Sequence, residues 1–165
     1  MRDPKWIYQQ FVNLEEQAAA IYLQMASRFS PENAELSSFW LEMGMQEKQH
    51  AGLLQFCIAE EFYAPDLPTD KEIQETGTLF DNLLKRASVP DLTVADAFRI
   101  ATQLETSEAN SIYDRLTRPV HSSMYLLRRK VATMLPDHVG HLLNEACKCN
   151  VPEETLREMG HAGAK

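Results

Sequence analysis

The segment Glu47-Lys48-Gln49-His50 carries a carboxylate and an imidazole at positions i and i+3. Residues with this spacing lie on one face of an α-helix, so both side chains can hold the same metal ion. Glu15 precedes Glu47, and Glu105 precedes His138-Val139-Gly140-His141, by nearly the same number of residues. A helical bundle holds two metal ions when four helices direct carboxylate and imidazole groups into a shared interior. The sequence therefore predicts a duplicated metal site in an all-α protein.

Apolar residues at the helical period predict two long helices in the first half of the chain. The first covers residues 4–27, and the second ends at about Glu61. Ser30 is interpreted as the N-cap of the second helix and Pro31 as its first residue, because proline suits the first helical turn. The two prolines within residues 62–68 end the second helix, since proline removes a backbone donor.

The second half of the chain is also predicted to be helical, with no alternation typical of strands. A short helix over residues 71–86 lies in a long connection, and a third long helix covers residues 91–117. The fourth helical region covers residues 122–149, and a last short helix starts at Pro152 and is closed by Gly160. Pro136 either kinks the fourth helix or lies in the first turn of a new one.

These elements predict a four-helix bundle made of two helical hairpins joined by a long crossover, with short extra helices. Residues 1–150 form the bundle, and residues 151–165 form a short C-terminal helix and tail. The length of 165 residues suits one domain with a sizeable core.

Composition excludes several classes of partner. The net charge of −8 argues against nucleic acid and anionic membranes, because no basic stripe offsets it. The start of the chain lacks the apolar run of a signal peptide, and no apolar stretch is long enough to span a bilayer. We therefore expect a cytoplasmic protein that binds neither nucleic acid nor membranes.

Three cysteines are too few for a disulfide framework in a chain of this length. Cys57 is interpreted as a small buried apolar residue. The Cys147-Lys148-Cys149 segment could bind a metal or act as a redox pair, but a single CxC motif is interpreted by default as doing neither. No paired CxxC motifs are present to hold an additional iron centre.

The first hairpin carries Glu15-x-x-Ala18-x-x-x-Tyr22 and Glu47-x-x-His50-Ala51. With these residues the chain resembles the ferritin-like superfamily, in particular the rubrerythrin-type di-iron proteins, over residues 10–145. The resemblance implies a ferritin-like four-helix bundle in which Glu15, Glu47 and His50 are metal ligands. It also implies that Glu47 bridges two ions. The Tyr22 hydroxyl is expected to hydrogen-bond a ligating carboxylate.

The second hairpin matches the family pattern more loosely. Glu105 is the expected ligand of the third helix, and Glu108, one turn later, is an alternative or additional ligand. Tyr113 follows Glu105 by eight residues, whereas Tyr22 follows Glu15 by seven. The alignment of the third helix with the family pattern is therefore open. Tyr113 is a second candidate for a tyrosine that hydrogen-bonds a ligating carboxylate. His141 corresponds to a family histidine, whereas His138 stands where the family has a glutamate. Both histidines are candidate metal ligands, and the alternative for His138 is a core imidazole hydrogen-bonded to Glu108 without a metal.

The histidine at position 138 changes the charge of the expected site. Four carboxylates would balance two divalent ions, whereas this chain offers only Glu15, Glu47 and Glu105. A missing negative charge disfavours the ferric state. We therefore expect a higher reduction potential, weaker binding of one metal, or recruitment of Glu108. Sites rich in histidine also accept zinc, nickel or copper more readily than all-oxygen sites do.

The resemblance implies a non-haem centre of two iron ions that reacts with peroxide or dioxygen. It also implies a homodimer, and the electron donor would be an external redox protein. Three alternatives remain open: a redox-inactive site for zinc or a single metal ion, an iron-handling bundle, and a non-catalytic interaction module. Glu47 and His50 could also form an ordinary solvated face, while His121 and His161 are interpreted as inert.

Overall fold

The computed structural model describes residues 2–118 and 138–162, and all regular secondary structure within them is α-helical. The prediction of an all-α protein is confirmed for this part of the chain. The predictions for Pro136 and His121, and for most of the fourth helical region, lie outside the described residues. The helices are α1 Pro4–Phe29, α2 Ala34–Ala59, α3 Asp70–Ala87, α4 Val94–Glu105, α5 Glu108–Leu116, α6 His138–Lys148 and α7 Glu153–Ala162.

Helices α1 and α2 form an antiparallel hairpin that contains much of the core. The Ser37 hydroxyl donates to the Ala26 carbonyl (2.8 Å), and Lys48 pairs with Glu16 further along the two helices. Residue numbers therefore rise along α2 as they fall along α1. This register brings the middle of α1, including Glu15, opposite the later half of α2.

The predicted start of α2 was wrong. Ser30 is the C-cap of α1, and its backbone N–H donates to the Ala26 carbonyl (3.0 Å). The N-cap of α2 is Asn33, whose side chain accepts from the backbone N–H of Leu36 (3.0 Å). Asparagine is a strong N-cap, because its side-chain oxygen satisfies a backbone donor that has no partner within the helix. Pro31 therefore lies in the turn before the helix.

The predicted third long helix is two helices. Helix α4 ends at Glu105 and α5 begins at Glu108. The hydroxyls of Thr106 and Ser107 bond to the Thr102 and Leu104 carbonyls (both 2.7 Å). Short hydroxyl side chains compete with the helical ladder for backbone groups. The interruption therefore lies at the only two consecutive hydroxyl residues between Val94 and Leu116.

The C-terminal helix α7 packs against α4 and α6. Arg99 of α4 donates to the Glu158 carboxylate (2.9 Å) and to the Thr155 hydroxyl (2.7 Å) of α7. The prediction that Gly160 closes this helix was wrong, because α7 continues to Ala162. Across the two described ranges, none of the helices is both long and apolar enough to cross a membrane.

Candidate metal centre

Five side chains from four helices meet inside the helical core. They form two groups. Within each group the potential ligand atoms lie within 4.8 Å of one another, and Glu47 belongs to both groups. The glutamates and His50 are buried, and His138 is partly buried. The first group is Glu15, Glu47 and His50; the second is Glu47, Glu105 and His138.

The first group lies between α1 and α2. Nδ1 of His50 lies 2.8 Å from Oε2 of Glu47 and 3.6 Å from Oε2 of Glu15. Glu47 and His50 face the same point because they are one helical turn apart. Glu15 reaches this point from α1 through the antiparallel register. The structure therefore brings together the three residues that the first hairpin predicted.

The second group joins α2 to α4 and α6. Nδ1 of His138 lies 2.7 Å from Oε2 of Glu105 and 4.0 Å from Oε1 of Glu47. The Glu47 carboxylate thus presents one oxygen to each group. The His50 and His138 rings are stacked, with their centroids 5.8 Å apart. This arrangement suits a carboxylate shared between two neighbouring cations.

Glu105 is held on several sides. The Tyr22 hydroxyl donates to Oε1 of Glu105 at 2.5 Å, as expected for a tyrosine that supports a ligand. The Asn110 amide donates to Oε2 of Glu105 (3.3 Å) and to its backbone carbonyl (2.6 Å). The sequence reasoning missed Asn110. The sequence shows only that Asn110 follows Glu105 by five residues. In a continuous helix this spacing would place the two side chains on different faces.

The interruption between α4 and α5 also explains the position of Tyr113. Its ring lies 4.5 Å from the ring of His50, centroid to centroid. In a continuous helix, its spacing of eight residues from Glu105 would rotate it away from the position expected at seven. The break allows Tyr113 to reach the centre despite the extra residue.

Two predicted ligands are not placed in either group. His141 lies against Phe39 in an edge-to-face contact, with ring centroids 5.1 Å apart. Its Nδ1 atom is buried, with no hydrogen-bond partner among the described residues. The side chain of Glu108 lies outside what the structure describes. Ligation by either residue stays a prediction.

The electrostatics of His50 follow from its two carboxylate neighbours. Burial disfavours an imidazolium, but hydrogen bonding and attraction to Glu15 and Glu47 outweigh it and raise the pKa of His50 to about 10. In the absence of a metal, a proton on His50 therefore offsets part of the negative charge.

The carboxylates differ from each other. Burial raises the pKa of Glu47 well above its usual value, and repulsion from Glu105 and Glu15 adds to this effect. Burial also opposes ionisation of Glu105, but hydrogen bonds from His138, Tyr22 and Asn110 lower its pKa overall. Burial and the nearby carboxylates raise the pKa of Tyr22 well above 10. Glu105 is thus better stabilised as an anion than Glu47, and Tyr22 remains a hydrogen-bond donor.

The donor set fits divalent first-row metal ions. Three carboxylates and two imidazoles supply oxygen and nitrogen ligands of the kind that iron, manganese and zinc accept. Within residues 2–118 and 138–162, no lysine or arginine bonds to any of the five side chains. Buried carboxylates without a fixed counter-charge are costly, so a bound cation would relieve that cost.

No protein-family model, curated protein or solved structure matches this chain. The resemblance to rubrerythrin-type proteins therefore rests on the residues themselves. It stays a prediction, as does the family's arrangement of helices.

Proposed function

We propose that this protein binds two divalent metal ions in a ferritin-like helical bundle, with Glu47 as the ligand shared by both. One observation carries the proposal. Glu47 belongs to two separate groups of ligand atoms, each within 4.8 Å and each containing a second glutamate and a histidine. A single ion would need only one of these groups, whereas two ions use both oxygens of Glu47.

The chemistry we propose is reduction of peroxide or dioxygen by a pair of irons, with an external redox protein as electron donor. When bound, two ferrous ions would supply two electrons, which break the O–O bond of a peroxide or reduce dioxygen to peroxide. The protein side chains hold the ions and their surroundings. His50 and His138 would hold the ions, while Tyr22 and Asn110 fix the orientation of the Glu105 carboxylate. The burial of Glu15, Glu47, His50 and Glu105 limits access of water to the centre.

The number of sites is tested by anaerobic titration of the metal-free protein with Fe(II), with bound iron measured after gel filtration. We expect two ions per chain. The Glu15→Gln and Glu105→Gln variants should each lose one ion, and Glu47→Gln should weaken both. Glu16→Gln is the matched control, because Glu16 is adjacent in sequence but half-exposed and paired with Lys48. Equal iron content in the Glu47→Gln and Glu16→Gln variants would contradict the proposal.

The reaction is tested by one addition of hydrogen peroxide to the ferrous protein under optical observation. A new near-ultraviolet oxo-ferric band that requires both ions would support the redox function. Tight binding of two ions without any spectral change would instead identify a redox-inactive site. A single bound ion, lost in both Glu15→Gln and Glu47→Gln but retained in Glu105→Gln, would identify a mononuclear site in the first group.

A further inference from the structure

Exposed apolar side chains lie together on the outer face of the α1–α2 hairpin. Leu41 and Met45, one turn apart on α2, are 46% and 57% exposed. On α1, Leu23 is 40% exposed, and its Cγ atom lies 3.4 Å from the position of a Cβ atom at Gly44. Single exposed apolar residues are ordinary, whereas a group of them indicates a binding surface. The outer patch consists of Leu23, Leu41, Met45, Gln46 and Gln49.

The hairpin carries almost no charge around the outer patch, although the chain has a net charge of −8. Residues 17–27 of α1 contain no charged side chain, and residues 36–46 of α2 contain only Glu42. At the edge of this region, Lys48 pairs with Glu16, so these two charges cancel. Two copies of an acidic protein repel each other wherever carboxylates face carboxylates. The outer patch therefore lets two copies meet with few like charges opposed.

The outer patch also contains a hydrogen-bond acceptor that lacks a donor. Gln46 is only 5% exposed, and its Oε1 atom is buried with no hydrogen-bond partner among the described residues. Gln46 lines a surface depression together with Leu41, Met45 and Gln49. A buried acceptor without a donor is unfavourable. A molecule that enters this depression with an N–H group would therefore remove an existing cost.

We propose that a second copy of this chain binds the outer patch, so that two molecules form a symmetric dimer. A symmetric contact places one surface against its own copy, so that surface must supply both donors and acceptors. The exposed Gln49 has the amide N–H groups, and Gln46 has the acceptor. The Gln49 amide of each molecule donates to Oε1 of Gln46 of the partner subunit. This proposal goes beyond metal binding and does not depend on it.

The position of Met45 makes the symmetry testable. The two-fold axis of a symmetric contact passes through the shared surface. Met45 lies between Leu41 and Gln49 along α2 and is the most exposed residue of the three apolar ones in the outer patch. Met45 therefore lies close to Met45 of the partner subunit.

The dimer is tested by analytical ultracentrifugation of the metal-free, full-length protein. We expect a mass about twice the 18.8 kDa of one chain. Met45→Glu places two carboxylates near the axis and should give the mass of one chain. Val89→Glu is the matched control and should keep the dimer, because Val89 is 42% exposed but lies in the turn between α3 and α4. A dimeric Met45→Glu variant would overturn the proposal.

Opposite charges at one position test whether the outer patch binds its own copy. Met45→Lys alone should also have the mass of one chain. An equimolar mixture of Met45→Glu and Met45→Lys should restore the dimer, because the new carboxylate meets the new ammonium group across the axis. A mixture that stays monomeric would show that the two patches do not face each other, and the symmetric contact would be wrong.

The hydrogen bonds are tested by truncation of the donor. Gln49→Ala should raise the dissociation constant of the dimer about ten-fold, because each dimer loses two hydrogen bonds. Gln55→Ala, at an exposed glutamine of α2 outside the outer patch, should leave it unchanged. Equal dissociation constants in the two variants would contradict the pairing of Gln49 with Gln46.

A wild-type protein with the mass of one chain would also overturn the proposal, and a second measurement then identifies the occupant. Sedimentation with uncharged phosphatidylcholine vesicles, lost in Met45→Glu and kept in Val89→Glu, would assign the outer patch to a membrane surface. A monomer that does not bind these vesicles would leave a different protein as the occupant.

Discussion

His50 supplies positive charge to the metal-free centre, because its pKa is raised to about 10. Three buried glutamates lie beside the two histidines: Glu15 and Glu47 beside His50, and Glu47 and Glu105 beside His138. Buried carboxylates without a compensating positive charge are unfavourable. A proton on His50 supplies one positive charge between Glu15 and Glu47. A metal ion at the same place would replace that proton. Metal binding and protonation of His50 are therefore mutually exclusive.

The raised pKa of His50 makes the free energy of unfolding of the metal-free protein depend on pH. The folded-state pKa of His50, about 10, lies above its ordinary value of 6.5. The stability that this group contributes is therefore complete below pH 6.5 and is lost as pH rises toward about 10. We expect the free energy of unfolding, measured with urea across this range, to fall with pH. His50→Gln should reduce the slope, whereas His161→Gln, at an exposed histidine, should keep it; equal slopes in both variants would refute the prediction.

At the scale of helices, the close approach of α1 and α2 positions the first ligand group. Gly44 makes this approach possible. A Cβ atom at Gly44 would lie 3.3 Å from the Ala19 carbonyl oxygen and 3.4 Å from side-chain atoms of Tyr22 and Leu23. Ala19 lies one turn after Glu15, so the spacing of the helices at Gly44 bears directly on the site.

Gly44 and Gly52, both on α2, make a matched comparison. Replacing a helical glycine by alanine stabilises a helix by about 1 kcal/mol when space permits. A Cβ atom at Gly52 would have no other atom within 4 Å, so Gly52→Ala should give this gain. Gly44→Ala should give none, because the rigid carbonyl of Ala19 must move, and it should also weaken metal binding. Urea unfolding and iron titration measure both effects; equal stabilisation by the two variants would contradict this account.

Helix α3 begins with a capping box that also anchors α5. The Glu72 carboxylate accepts from the Thr69 backbone N–H (2.6 Å) and hydroxyl (2.8 Å), and from the Arg115 guanidinium (2.7 Å). These partners, the Thr69 N–H foremost, lower the pKa of Glu72. Glu72 therefore joins the start of α3 to the end of α5 while it is ionised.

The lowered pKa of Glu72 predicts that the free energy of unfolding decreases in acid. Its contribution is present above the ordinary pKa of 4.5 and is lost as pH falls through the lower folded-state value. Glu72→Gln should therefore lower the free energy of unfolding at neutral pH. It should also reduce the decrease of that free energy as the pH falls. Glu75→Gln is the control, because the pair that Glu75 forms with Lys71 is exposed to solvent. Urea unfolding from neutral to acid pH provides the measurement. If the free energy of unfolding of Glu72→Gln fell with pH as steeply as that of the wild type, the prediction would be wrong.

At the scale of the whole molecule, the centre links parts of the chain that are distant in sequence. Helices α1, α2, α4 and α6 each contribute a ligand candidate, and Tyr22 and Glu105 are separated by 83 residues. An ion held by these helices therefore connects both halves of the described structure. A ligand that binds only the folded state stabilises it by mass action.

Metal should therefore stabilise the whole fold. At a free ion concentration 100 times the dissociation constant, one site adds about 2.7 kcal/mol to the free energy of unfolding. We expect an increase of at least this size with Fe(II) under anaerobic conditions, measured by urea unfolding. The increase should nearly vanish in Glu47→Gln and persist in Glu16→Gln. A similar increase in both variants would place the bound ions elsewhere.

Local properties of the sequence determined the helical content and part of the site. The helical period places Glu47 and His50 on one face wherever α2 lies, so their pairing follows from spacing alone. The cap of α2 at Asn33 and the interruption at Thr106 and Ser107 were missed. Each depends on which of several competing side chains bonds to the backbone, and the sequence offers more than one candidate.

Only the tertiary structure decided how the two halves meet. The sequence predicted one long helix that contains both Glu105 and Tyr113. The break between α4 and α5 instead brings Asn110 to Glu105 and the Tyr113 ring to His50. His138 joins the second group, while His141 lies against Phe39. The physical reason is that helical spacing fixes neighbours within one helix. The position of one helix against another depends on packing among residues far apart in the chain.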